Sequence, residues 1–298
     1  MEHQHIKTPQ LDIAYLEYGD QSGWPCILSH GFPYDPLCYH DAAGALADAG
    51  ARVVVPWLRG YGPTRFLSAD TPRSGEQAAL AADLLSLMDA LSIERSVLAG
   101  FDWGGRAGCI VSALFPERVD ALVTVNGYNL QNIAACNEPA SAELEAGFWY
   151  QYYFHSERGR RGLLRDRNDI CRQLWKMWSP DWAFSEETFL ATAESFKNDD
   201  FVDVVIHSYR HRYALVPGDP AHAHLETRLT AQPDITVPTV IIDGATDGVH
   251  PPSTAQHKKF TGPLDYRVLP LVGHNPAQEN PAAWVDAVLT ARSMAAST

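Results

Sequence analysis

The sequence predicts an α/β protein with a mostly parallel sheet flanked by helices, and three observations carry that expectation. Short runs rich in Val, Ile and Leu recur between turn residues. Longer stretches with helical periodicity separate them. The alternation breaks once, over a long aromatic-rich segment, and then resumes. Alternating strands and helices of this kind bury a parallel sheet between two helical layers.

In chain order, Leu11–Glu17 alternates polar and apolar residues and predicts an antiparallel edge strand. Cys26–Ser29 and Arg52–Pro56 read as buried strands. Ser74–Leu91 is the clearest helix: Ser74-Gly-Glu-Gln77 matches a capping box, and Leu80, Leu84, Leu87, Met88 and Leu91 follow at helical spacing. Ser96–Gly100 is the next strand, Gly104–Phe115 a helix, and Ala121–Asn126 another strand. Residues 128–233 then show no strand-like run and hold Trp149, Trp175, Trp178 and Trp182, which predicts a helical insertion, or cap. Strands Thr239–Asp243 and Tyr266–Val272 and the helix Pro281–Met294 complete a core made of residues 1–127 and 234–298.

Composition narrows the function classes. The chain has 298 residues, and 23 Lys+Arg against 36 Asp+Glu give a formal charge of −13. That balance argues against a nucleic-acid or anionic-membrane binder, which needs a basic face. No run approaches the ~20 apolar residues that span a bilayer, and Met1–His5 has no cationic start followed by an apolar stretch. The five cysteines lack C-x-x-C spacing, which predicts reduced thiols and a cytoplasmic location. The pairs His207/His211, His222/His224 and His3/His5 lack a metal-site pattern and are read as structural or solvated. Arg158, Arg160, Arg161, Arg165 and Arg167 are interrupted by acids and read as a solvated face.

The chemistry concentrates at Gly100-Phe-Asp102-Trp-Gly104, where an apolar strand enters a helix through G-x-D-x-G. This is the nucleophile-elbow pattern with aspartate in place of serine; flanking glycines let the sharp turn pack against neighbouring backbone. The alternative reading makes Asp102 an ordinary helix cap. Two further residues favour the elbow. Asp247 follows the strand Thr239–Asp243, and His274 follows Tyr266–Val272, in the chain order nucleophile, acid, histidine. Asp243 competes as the acid but lies within the strand end, so Asp247 is preferred. In His30-Gly-Phe-Pro33, the Phe32 amide can join that of Trp103 as an oxyanion hole, and Phe32–Pro33 is expected to be cis.

These motifs resemble the α/β-hydrolase superfamily and, through Asp102, its epoxide hydrolase and dehalogenase branch. The resemblance rests on His30-Gly-Phe-Pro33, Leu58-Arg-Gly-Tyr-Gly62, Gly100–Gly105, the Asp247 loop and Gly273-His274…Gln278-Glu-Asn-Pro281. It implies an α/β-hydrolase fold and attack by ionised Asp102 on a saturated carbon. His274, oriented by Asp247, would then activate water against the resulting ester. It implies no cofactor and no metal, a small apolar epoxide or halide substrate plus water, and is compatible with a homo-oligomer.

Epoxide hydrolases supply two cap tyrosines as proton donors. Phe148-Trp-Tyr150-Gln and Ile206-His-Ser-Tyr209-Arg210 are similar to those segments and nominate Tyr150 and Tyr209. Trp149, Tyr152 and His30 are expected to line the substrate pocket. A dehalogenase is the runner-up, with the Trp103 indole as a halide donor. Haloacid-type members carry an arginine directly after the nucleophile and another three residues later; here Trp103 fills the first place, which leaves Arg106 as the single arginine. A non-catalytic receptor on the same fold is the minor reading, since every triad position holds a competent residue.

Overall fold

Every predicted strand appears in the computed structural model, which describes residues 2–296. The elements are β1 (Gln4–Lys7), β2 (Leu11–Tyr18), β3 (Trp24–Ser29), α1 (His40–Asp48), β4 (Ala51–Pro56), β5 (Arg65–Phe66), α2 (Gln77–Ala90), β6 (Ser96–Gly100), α3 (Asp102–Leu114) and β7 (Val119–Val125). The insertion supplies α4 (Ala142–Gly147), α5 (Trp149–His155), α6 (Glu157–Trp178), α7 (Glu186–Ala193), α8 (Phe201–His211) and α9 (Ala223–Leu229). Then follow β8 (Thr239–Gly244), β9 (Leu264–Leu269), α10 (Pro276–Glu279) and α11 (Pro281–Ala296).

The sheet runs β1-β2-β4-β3-β6-β7-β8-β9, with β5 paired to β2. From β4 to β9 every pairing is parallel, whereas β1, β2 and β5 pair antiparallel. The central strands are buried along nearly their whole length, as a sheet covered on both faces requires. Helix α1 packs with α11 and α2 with α3, forming the two helical layers. No strand lies between β7 and β8 among the described residues.

Three local expectations are corrected. Leu11–Glu17 is antiparallel but does not form the sheet edge, because Gln4–Lys7 pairs outside it. That outer strand is short, polar and exposed, so it carries no apolar periodicity to read. The capping box at Ser74 does not form: α2 starts at Gln77, and Ser74 Oγ accepts the Glu76 amide instead. Arg59 explains this, since its Nη1 donates to the Ser74 carbonyl while Asp83 takes its other face, which holds Ser74 outside the helix. The last strand ends at Leu269 rather than Val272, and Leu271 turns away at a φ of 58°.

The insertion is fastened to the core by buried polar contacts. Asp35 accepts from Ser195 Oγ (2.7 Å) and Thr192 Oγ1 (3.1 Å), and Trp57 Nε1 donates to Ser195 Oγ. Trp175 stacks on Tyr34 at 4.8 Å between ring centroids and donates its indole N–H to the Pro33 carbonyl. Truncating a core tryptophan of this kind typically costs about 3–5 kcal/mol. The insertion therefore sits in fixed register over the carboxyl ends of β3, β6 and β8, the rim at which open α/β sheets place their sites.

Candidate active site

Asp102 opens α3 at a φ of 48°, a left-handed conformation that few non-glycine residues adopt. Close packing explains the glycines around it. A Cβ on Gly104 would lie 1.9 Å from the Ser29 carbonyl oxygen, and one on Gly31 would lie 2.4 Å from Asp102 Cβ. The turn thus lifts the Asp102 side chain onto the rim, where 15% of it is accessible. Its Oδ1 accepts the Phe32 amide at 2.9 Å. The Phe32–Pro33 bond is cis, as expected.

His274 faces the other carboxylate oxygen. Its Nε2 lies 3.9 Å from Asp102 Oδ2, too far for a hydrogen bond but close enough for strong charge coupling. Its Nδ1 is 2.9 Å from Asp247 Oδ2. Asp247 Oδ1 is fixed by the amides of Val249 (2.7 Å) and His250 (3.1 Å). Asp243, the competing acid, accepts from Ser253 and Tyr266 instead.

Electrostatics couple these groups. Burial disfavours the charged imidazole, but Asp247 and Asp102 overcome it and raise His274 well above the ordinary histidine value. Burial likewise opposes ionisation of Asp102, yet His274, Arg106 and the Phe32 amide hold it below the usual carboxylate range. Asp247 is lowered despite its burial, chiefly by His274. The resting site is an imidazolium between two carboxylates.

Tyr150 and Tyr209 are both buried, and their rings meet edge to face at 5.3 Å. Tyr209 also lies 5.5 Å from Phe32 and 6.2 Å from Trp103, ring centroid to ring centroid, which brings it to the wall beside the elbow. Among the described residues the Tyr209 hydroxyl has no hydrogen-bond partner, and the Tyr150 oxygen accepts from Gln151 Nε2 at 3.1 Å. Burial raises both phenols, Tyr150 to about 12. The Trp103 indole N–H is buried with no acceptor among the described residues.

Two expected pocket residues are corrected. Tyr152 is 40% exposed and donates to Glu145 on the surface. Helical geometry accounts for this: Tyr150 and Phe154, four apart, share the inward face of α5, and Tyr152 projects from the opposite side. His30 is fully buried, with Nδ1 toward the Gly31 carbonyl and Nε2 accepting the Leu58 amide, so its ring ties two loops together rather than lining a pocket. Trp149 packs against Tyr150 and Tyr153 and stays half-buried on α5.

Three positioning groups escape a reading of the sequence. Asn126, at a φ of 60°, donates its side-chain amide to Asp247 Oδ2 and the His250 carbonyl. Glu279 accepts the Gly273 amide at 2.6 Å, the Asn275 amide at 2.9 Å and the Ser179 hydroxyl at 2.6 Å. Ser179 in turn accepts the His274 amide, so the histidine loop is clamped from both sides. The Gln278-Glu-Asn-Pro281 motif is the available signal for Glu279.

The strand order, the elbow and the acid–histidine pair define a member of a single large class. Residues 25–281 match the model of the α/β-hydrolase fold family, and the chain belongs to that family. Among its relatives, epoxide hydrolase A of Mycobacterium tuberculosis is 33% identical over 125 residues, covering 41% of this chain and 37% of that one. A haloalkane dehalogenase of Mycolicibacterium paratuberculosis is 32% identical over 125 residues, covering 41% and 40%. The chain thus aligns with less than half the length of these curated relatives. A solved structure from Klebsiella pneumoniae, provisionally named an epoxide hydrolase, is 46% identical with a TM-score of 0.96, covering 98% of this chain and 97% of that one. No helix among the described residues is long and apolar enough to cross a membrane.

Proposed function

We propose that this chain is an epoxide hydrolase that opens an epoxide through a covalent ester on Asp102 and releases a vicinal diol. The observation that carries this reading is the convergence of two buried tyrosines, Tyr150 and Tyr209, on an elbow whose nucleophile is a carboxylate. Asp102 Oδ2 attacks one epoxide carbon, and the carbon–oxygen bond to the ring oxygen breaks. That oxygen takes a proton from Tyr209 or Tyr150. Their raised affinity for protons keeps both loaded until an alkoxide, a stronger base, forms. Oδ1, already on the Phe32 amide, becomes the ester carbonyl oxygen.

Ester formation also switches the base on. Once Asp102 is alkylated its negative charge is gone, so His274 loses one of the two carboxylates that keep it protonated. The imidazolium proton passes to the phenolate that the first step leaves, which restores the tyrosine. Neutral His274 then takes a proton from water, and the hydroxide attacks the ester carbonyl carbon. The Phe32 and Trp103 amides are the proposed donors to the tetrahedral oxyanion. Collapse expels the diol alkoxide, which takes the proton of the new carboxyl group; Asp102 is regenerated as a carboxylate carrying one oxygen from water, and His274 is again protonated.

A dehalogenase remains the second reading because the buried Trp103 indole N–H has no acceptor among the described residues and would suit a halide. Incubation with styrene oxide, 1-chlorobutane and chloroacetate separates the two. Diol from the first supports the proposal; halide release without diol formation overturns it.

A further inference from the structure

Arg212 follows the last turn of α8, and its guanidinium carbon stands 4.3 Å from the centroid of the Tyr209 ring. Its Nη1 makes a long contact of 3.4 Å to Gln151 Oε1, and Gln151 Nε2 donates to the Tyr150 oxygen at 3.1 Å. One cation therefore lies against the face of one phenol and reaches the oxygen of the other through a single side chain. Arg212 Nε and Nη2 are buried with no acceptor, and no carboxylate lies within 4.0 Å of the guanidinium among the described residues. Leaving a buried cation's N–H groups unpaired is costly. Arg210, two positions earlier, shows the ordinary solution: its Nε donates to the Phe154 carbonyl and its Nη2 meets Glu157 at 3.0 Å.

Epoxide opening supplies an anion at this place. In the resting site Asp102 carries the negative charge, held by His274, Arg106 and the Phe32 amide. When Asp102 Oδ2 bonds to the epoxide carbon and the ring oxygen takes a tyrosine proton, that charge leaves the carboxylate and appears on a phenolate. The net charge of the site is unchanged, but the negative charge has moved from α3 to the cap. A cation on the face of Tyr209 gains little from the neutral phenol and much from the phenolate, so it favours the state after the transfer. The charged and titratable groups around the ring are Tyr150 and His155 on α5, Asp102 and Arg106 on α3, and Tyr61 after β4. Burial lowers His155, and Arg106 already serves Asp102. Burial, Tyr150, Asp102 and Tyr61 all strengthen the hold of Tyr209 on its proton, and Arg212 opposes them.

We propose that Arg212 is a positioning residue for proton donation, stabilising the phenolate that epoxide opening leaves on Tyr209. This deepens the epoxide reading and rests on it.

The test places trifluorotyrosine at position 209 of the whole chain and follows its ionisation by fluorine NMR, since the fluorine substituents bring the phenol's ionisation down toward neutral pH. In Arg212→Gln, and in Arg212→Met with its stem still packed on the ring, the titration is expected to move up by about one pH unit or more, a 10-fold change. Arg212→Lys should move it less. With the natural tyrosine at 209, kcat on styrene oxide should fall about 3- to 10-fold in Arg212→Gln, the Brønsted response to a shift of that size, with KM little changed. In a Tyr209→Phe background the same change should cost much less, because Arg212 acts through that ring. Circular dichroism identifies the neutral variant that folds. An unmoved titration in that variant, or a kcat loss equal with and without the Tyr209 hydroxyl, overturns the proposal and leaves epoxide hydrolysis standing. A titration that moves in a chain turning over no epoxide supports the coupling of Arg212 to Tyr209 and removes the epoxide reading instead.

Discussion

Asn126 donates its side-chain amide to Asp247 Oδ2 at 3.2 Å, the same oxygen that His274 Nδ1 reaches at 2.9 Å. The acid is therefore aimed by a residue at the end of β7, the strand beside its own, and its other oxygen is aimed by two backbone amides. Asp247 has no rotational freedom left.

Removing the Asn126 amide should cost turnover while leaving the fold intact. Asn126→Gly keeps the left-handed backbone without strain and deletes only the donor. Loss of one hydrogen bond to a charged group is worth about 1.5–3 kcal/mol, so kcat on an epoxide should fall about 10-fold or more. Asn126→Ala should lose the same turnover and, in addition, about 1 kcal/mol of stability, because alanine is strained at a positive φ. Full activity in the glycine variant would show that Asn126 does not position the acid.

The charge of His274 makes a second prediction. Its proton affinity is raised in the folded protein by Asp247 and Asp102. A histidine whose folded pKa lies above its unfolded value contributes its full stabilisation below about pH 6.5. That contribution then declines as pH rises toward the folded pKa. Unfolding by urea from pH 6 to 9 should therefore show stability falling across this range. In Asp102→Asn the imidazole NMR titration should move to lower pH, since one supporting charge is gone. An unmoved titration would sever the proposed link between alkylation of Asp102 and the freeing of the base.

The two tyrosines can be separated from the rest of the machinery. Tyr209→Phe removes a buried hydroxyl with no hydrogen-bond partner of good geometry among the described residues, so its Tm should stay level or rise slightly. General-acid assistance is typically worth 10²–10⁴-fold, and epoxide turnover should fall by about 10²-fold if Tyr209 is the main donor. Tyr150→Phe should fall less, and the double variant should retain only residual activity. A double variant with near wild-type epoxide turnover would remove both tyrosines from the chemistry.

Asp102 and Asp247 are legible in the sequence because each follows a wholly buried apolar strand, and such strands announce their own ends; the strand before His274 is only partly buried, and its end is correspondingly blurred. Asp102, Asp247 and His274 sit just past β6, β8 and β9. Tyr152 is different, because proximity in sequence to Tyr150 says nothing about which side of a helix a residue occupies. His30 stands at a strand end on the correct rim, but both of its nitrogens are spent on backbone atoms. Asn126 leaves no local trace, because it meets Asp247 across 121 positions.

The buried contact of Asp35 with Thr192 and Ser195 gives the last prediction. This carboxyl is buried beneath the Ser195 and Thr192 hydroxyls, and burial raises it to about 7 against the lowering effect of those bonds. A carboxyl whose folded pKa exceeds its unfolded value holds a proton that the unfolded chain has already lost. Stability contributed at this site is therefore present in full below about pH 4 and is lost as pH climbs to about 7, beyond which the burial penalty is constant. Asp35→Asn keeps the shape without the charge. Either hydroxyl can rotate to accept from the new amide, although the Trp57 indole already occupies one lone pair of Ser195. The variant should thus be more stable than wild type at pH 8, and its advantage should shrink toward pH 4.5. Denaturant midpoints at the two pH values measure the difference. If Asp35→Asn instead loses ground to wild type between pH 4.5 and pH 8, the Asp35 charge is welcome beside the Thr192 and Ser195 hydroxyls.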